Sequence, residues 1–254
     1  MSTWRVVAGL VGLCLLQSVY AAEWQKISAQ VTFSANGSAL GRLLIYQGSR
    51  LSETDDSAFK TMAAPLRTAL LSPQTTNPFR ARFPAIYRER SALAHCPMLA
   101  AAIDVDNQAS TQEYLIAYSR LRCLELEPSE RLRHGDTEPH YVILQQQAND
   151  RYRVLMESDG EISVLNKQAA GYKALESKVM LEREFPTHEL QCGGAELTWR
   201  YDGNAYQLSK TSYVAQDCEP RHFPNLAGAE WDKAYAQVVR KVQNTLAPVI
   251  RRFD

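Results

Sequence analysis

The 254 residues contain no apolar run long enough to cross a bilayer as a helix. The best candidate, residues 6–16, falls well short of the roughly 20 residues that a helical span needs. Stable membrane insertion is therefore not expected. Neither sign of charge is in excess, with 28 Lys and Arg against 28 Asp and Glu. Such a balance leaves no electrostatic footprint for nucleic acid or an anionic membrane surface. Also missing are His-Glu-x-x-His, the Gly-x-Ser-x-Gly nucleophile elbow, Gly-rich phosphate loops and dinucleotide fingerprints. No cofactor is expected, and no set of residues is assigned to catalysis.

What is present begins with an address. One positive charge at Arg5 precedes the apolar run 6–16, and small side chains follow at Val19, Ala21 and Ala22. This is the order of a secretory signal: charged start, short apolar stretch, small-residue cleavage site. Cleavage is expected after Ala21, with Ala22 the alternative. Leu13 stands before Cys14, where a lipid-attachment signal needs a small residue, so a lipid anchor is not expected. The chain divides into a signal at 1–21, an α+β part at 22–110 and a β-rich part at 111–254, the last two readable as one continuous domain. The expected location is the periplasm.

Four cysteines remain beyond the signal: Cys96, Cys123, Cys192 and Cys218. An even count in an oxidising compartment points to two disulfides, and three pairings are open. The local pairs Cys96–Cys123 and Cys192–Cys218 are preferred because each closes a short loop. A competing reading sees zinc in His188-x3-Cys192 and Cys218-x3-His222, since thiolate and imidazole make tetrahedral sites. Export favours the disulfide.

Along the chain, Ile27, Ala29, Val31 and Phe33 share one face of an extended segment. Asn36-Gly37 marks a turn and residues 43–46 resume the pattern, a β-hairpin. Residues 52–57 offer helix-capping oxygens, and Phe59, Met62, Leu66 and Leu70 recur at helical spacing, with Pro65 marking a kink or a late start. Residues 73–90, rich in Pro and Arg, read as loop. From residue 112 onward, short β-branched and aromatic runs alternate with turn signals at 148–150, 158–160, 170–171 and 202–204, which predicts an antiparallel meander. Trp231, Tyr235, Val238, Val242, Leu246 and Ile250 predict a C-terminal amphipathic helix packed on the sheet. The fold class is α+β, mainly an antiparallel β meander.

The stretch 152–165, then Gly171-Tyr172, then Trp199-Arg-Tyr-Asp-Gly-Asn-Ala-Tyr206 resembles a β-hairpin module of bacterial envelope proteins and, more loosely, the repeats of integrin-type propellers. Propeller relatives place acidic residues after the Gly-Tyr, where they bind calcium. Here Lys173-Ala174-Leu175 stands instead, so calcium is not expected. Proteins with such hairpins include periplasmic immunity proteins and lysozyme inhibitors. The resemblance implies a non-enzymatic protein that binds and blocks an envelope-targeting enzyme or toxin. The candidate partner-contact residues are Trp199, Tyr201, Tyr206, Arg80 and Arg82, of the types enriched at binding hot spots. For the aromatic three, packing within the hairpin is the first expectation. The acid–base candidates His134 with Asp136, and Glu157 with Asp159, are expected to be polar groups facing water.

Overall fold

The computed structural model describes residues 25–33, 39–47, 50–54, 58–80, 96–119, 123, 139–185, 187–216, 218 and 227–251. Strands β1 (Gln25–Phe33), β2 (Ala39–Gln47) and β3 (Arg50–Thr54) come first, followed by the short β4 (Lys60–Thr61) and helix α1 (Ala64–Leu71). The chain continues through β5 (Met98–Ile103), β6 (Gln112–Ser119), β7 (Pro139–Gln146), β8 (Tyr152–Asp159), β9 (Ile162–Ala169) and β10 (Tyr172–Met180). A single helical turn, α2 (Leu181–Glu184), leads into β11 (Gly194–Tyr201), β12 (Tyr206–Val214) and helix α3 (Gly228–Ile250). One sheet has the order β12-β11-β10-β9-β1-β2-β3 and the other β4-β5-β6-β7-β8. Neighbouring strands within both sheets are antiparallel. The expected α+β class with a β meander holds.

The smaller sheet is built from consecutive segments. The larger one is closed by pairing β1 with β9, from Lys26↔Leu165 to Ser28↔Ser163. Beyond Ser28 that edge of β1 leaves β9, and the Tyr141 hydroxyl of β7 takes over. It accepts from Val31 N–H at 3.0 Å and donates to the Ala29 carbonyl at 3.2 Å. One hydrophobic cluster runs through both sheets, α1 and α3. The expected boundary at residue 110 falls in the loop of the β5–β6 hairpin, inside that continuous core.

Strand β7 shows why the smaller sheet sits in the middle. All of its residues but the last are buried, on both of its faces. Tyr141 reaches the larger sheet from one face. The opposite face lies under α1 and residues 73–80, which reach β8 through a parallel bridge at Thr76↔Arg153. In β10 the inside–outside alternation breaks where Ala174 and Leu175 are both buried. A bulge in the β9–β10 register sits between Lys173 and Leu175 and turns the strand by one residue.

The strand pairing of the N-terminal hairpin, the strands from 112 onward and the C-terminal helix match their expectations, while the Asn36-Gly37 turn lies outside the described residues. Around residues 52–62 the structure differs. Residues 52–54 belong to β3 instead of capping a helix, and α1 begins only at Ala64, with Pro65 in its first turn. Proline suits that turn because its missing N–H has no helical partner there in any case. Helix α3 buries Val238, Val242, Leu246, Val249 and Ile250, while residues 228–233 are exposed. Its approach to β11 requires glycine at 193, where φ is +85° and a Cβ would lie 2.6 Å from a Val242 methyl.

Candidate functional site

Two hairpins define the site, and each is clasped by a disulfide at its open end. Cys96 and Cys123 bracket β5–β6 with Cα atoms 5.0 Å apart, and Cys192 and Cys218 bracket β11–β12 at 4.9 Å. Both preferred pairings are thus present, and both thiols of the zinc alternative are used up. His188 is engaged as well: its Nδ1 accepts from Leu190 N–H at 3.0 Å. His222 lies outside the described residues.

The closed ends of the two hairpins meet in a buried polar cluster. From the first come Asp106 in the β5–β6 loop and Glu113 at the start of β6. The second supplies Tyr201 and Tyr206, one at each end of its turn. Gln145 of β7 stands between them. Its amide nitrogen donates to Asp106 Oδ2 and to Glu113 Oε1, each at 2.9 Å, and its carbonyl accepts from Arg153 at 2.7 Å. Arg153 also donates to the Tyr172 hydroxyl at 3.1 Å and lies over the Tyr201 ring, 5.5 Å from its centroid. Tyr172 stacks on Tyr201 with centroids 3.8 Å apart. The Tyr206 hydroxyl donates to the Lys173 carbonyl at 2.7 Å, and Lys173 N–H donates to the Val105 carbonyl at 2.7 Å, which returns to the first hairpin's loop.

Burial sets the electrostatics. It pushes the Glu113 carboxyl above its ordinary range, and the nearby Asp106 charge adds to this against the hydrogen bond from Gln145. Burial likewise pushes the Tyr206 and Tyr201 phenols upward. Asp104 goes the other way. Partial burial raises its carboxyl, but the Asn107 N–H and the Lys173 ammonium outweigh that and hold it below the usual range.

Oxygens of Asp104, Asp106 and Glu113 lie within 4.8 Å of one another, a donor set of the kind a hard cation takes. Each carboxylate already has a donor in place: Lys173 Nζ is 3.1 Å from Asp104, and Gln145 serves the other two. The trio works as a polar joint between loop and sheets. Only the Asp104-x-Asp106 spacing hints at it in the sequence.

Trp199, Tyr201 and Tyr206 are 1, 8 and 0 % exposed, which leaves a partner almost no ring surface to touch. Their role is packing: the Trp199 indole donates to Ser177 Oγ at 2.9 Å and Tyr201 donates to the Gly203 carbonyl at 2.8 Å. Arg80 is half-buried and spends its guanidinium on the Ser72 and Thr75 carbonyls at the exit of α1, so it is not open basic surface. Arg82, His134 and Asp136 lie outside the described residues, as does the Asp159 side chain. Glu157 corrects the expectation of a water-facing carboxylate. It is buried, accepts from Asn77 Nδ2 at 2.7 Å, and lies 3.5 Å from Nε2 of the equally buried His140. Residues 73–80 cover it, and no local pattern announces that layer.

No family model, curated protein or solved structure matches this chain. The surface must therefore speak from its own chemistry. Among the described residues, Trp231 is the large hydrophobic side chain left exposed, at 40 %. It stacks on Tyr235 with centroids 5.0 Å apart and planes 21° from parallel, on the outer part of α3. None of the described helices is long and apolar enough to cross a membrane.

Proposed function

We propose that this chain is an exported, non-enzymatic binding protein of the periplasm that docks on an envelope-targeting enzyme or toxin and occludes it. The observation that carries the reading is the Trp231–Tyr235 stack on α3, with Trp231 exposed and Tyr235 half-buried. Trp and Tyr dominate protein-binding hot spots because they bury large area with few rotatable bonds. The residues around the stack, Glu230, Asp232, Lys233 and Gln237, are exposed and polar, which suits the rim of such a patch. Two disulfide-clasped hairpins add to this reading. They suit an oxidising compartment, and a rigid scaffold loses little freedom on binding.

The test titrates purified protein into envelope-extract assays of peptidoglycan and phospholipid hydrolysis. The expected result is saturable inhibition by the wild type, weakened at least about tenfold in Trp231→Ala, with unchanged thermal unfolding. If no hydrolytic activity is inhibited, the reading fails. A second reading, an envelope hydrolase, draws on the buried His140–Glu157 pair, since an imidazole oriented by a carboxylate is the core of many acid–base sites. Peptidoglycan or lipid turnover by the protein alone, lost in Glu157→Gln, would favour it.

A further inference from the structure

Away from α3, a cavity of about 560 Å³ opens between α1 and the turn that joins β7 to β8. That volume falls within the roughly 300–1,000 Å³ of small-molecule sites. Its lining includes Thr68 and Ala69 of α1, Gln74 beyond it, and Asp150, Arg151 and Tyr152 from the hairpin. The walls are fixed by the fold itself. Thr75 Oγ1 donates to the Ala69 carbonyl at 2.6 Å, while Thr76 N–H reaches the Tyr152 carbonyl at 3.2 Å and Val154 N–H the Thr76 carbonyl at 2.8 Å. The site is therefore shaped before any ligand arrives, which lowers the cost of binding.

The mouth of this cavity carries two opposite charges on adjacent residues. Asn149 and Asp150 have φ of 68° and 53°, the left-handed pair of a tight hairpin turn, and Gln147 N–H closes it on the Arg151 carbonyl at 2.7 Å. One Asp150 oxygen accepts from Gln146 Nε2 at 3.0 Å, which steadies the carboxylate and leaves its other oxygen available. Arg151 is exposed, and its planar guanidinium can hold a carboxylate through two parallel hydrogen bonds. Tyr152, half-buried and also in the lining, adds surface for a small apolar body.

We propose that this cavity binds a small zwitterion, an α-amino acid or dipeptide, with its carboxylate on Arg151 and its ammonium on Asp150. The inference goes beyond the docking reading and uses none of its residues. A neutral sugar would leave both charges unmatched, and a singly charged ligand would leave one.

The full-length mature protein is titrated with alanyl-alanine and followed by amide NMR shifts. Shifts confined to residues 65–75 and 150–152 are expected. N-acetyl-alanine, which lacks the ammonium, and alaninamide, which lacks the carboxylate, should each bind about tenfold more weakly, equivalent to ~1.4 kcal/mol. Arg151→Gln and Asp150→Asn should each weaken dipeptide binding by a similar factor, and Asn is at home in the left-handed turn, so the fold is kept. Free alanine run alongside shows whether one residue suffices or the second adds contact. The proposal is overturned if millimolar dipeptide shifts nothing at these residues. A capped probe that binds as tightly as the dipeptide, or indifference of either variant, overturns it as well.

Discussion

The two clasped hairpins use the same covalent device in opposite settings. Cys96–Cys123 and Cys192–Cys218 close loops of nearly equal length, with separations of 27 and 26 residues. By chain entropy alone each bridge stabilises by roughly 3–4 kcal/mol. Strand β6, however, is paired on both sides, to β5 and along its whole length to β7. Among the described residues, strand β12 is the edge of its sheet with β11 as its one neighbouring strand, and it is largely exposed or half-buried. An interior hairpin is held by its sheet with or without a clasp. An edge hairpin depends on its clasp and on α3 for the order of its outer strand.

The largest expected effect tests whether the edge hairpin belongs to the core at all. Trp199→Ala should destabilise by about 3–5 kcal/mol in urea unfolding, because it empties a fully buried ring site and removes the indole donor from Ser177. A loss below about 1 kcal/mol would mean that this hairpin opens apart from the rest. Next comes the contrast between the clasps. Replacing both cysteines of either pair with Ala should lower global stability by about 2–5 kcal/mol. Hydrogen exchange should then separate them: without Cys192–Cys218 the protection of β12 and α3 falls first, whereas without Cys96–Cys123 the protection of β6 follows the global value. The same local pattern in both variants would remove the difference between interior and edge.

A smaller effect is expected where the hairpin tips meet. Gln145→Leu keeps the shape of the site but removes both donors from Asp106 and Glu113, and should cost about 2–3 kcal/mol. If it costs nothing, the two tips are stable without their shared amide.

These contrasts also show which physics a sequence exposes. Strands β6 to β12 are legible because β-branched alternation stops at residues that favour positive φ, as at Gly171 and Gly203. Strand β5, Met98–Ile103, is hidden by three consecutive alanines, which prefer helix and fit a strand only because β4 and β6 flank them. The β1–β9 pairing that closes the larger sheet has no local signature, since its partners are more than 130 residues apart. Trp199 to Tyr206 is legible as a packed aromatic hairpin, and it is one. Gln145, which gathers the polar cluster, looks like the polar end of a strand, and only tertiary placement gives its amide two carboxylates. Glu157 beside the 158–160 turn suggests solvent in the same way, until α1 and residues 73–80 fold over it.

The smallest effect is a pH dependence confined to one tip. Burial raises Glu113 above its unfolded value of about 4.3, so the native state keeps a proton that the unfolded chain has lost. Stability from this group is therefore full below that value, declines as pH rises through the folded value, and is level beyond it. Asp104 on the same loop has the opposite sign. Its lowered carboxyl gives stability above its unfolded value of about 3.9 that is lost as pH falls. At the other tip, burial holds the Tyr206 phenol protonated far above neutrality, so it contributes no slope between about pH 3 and 7. Denaturant midpoints measured across that range should show a decline above about pH 4.3 in the wild type. Glu113→Gln should flatten it, because the neutral amide oxygen still accepts from Gln145 and no proton is released. Tyr206→Phe should lower stability at every pH by the loss of its bond to Lys173 and leave the slope as it was. A slope that survives Glu113→Gln would place the titrating group elsewhere and remove the electrostatic distinction between the two hairpins.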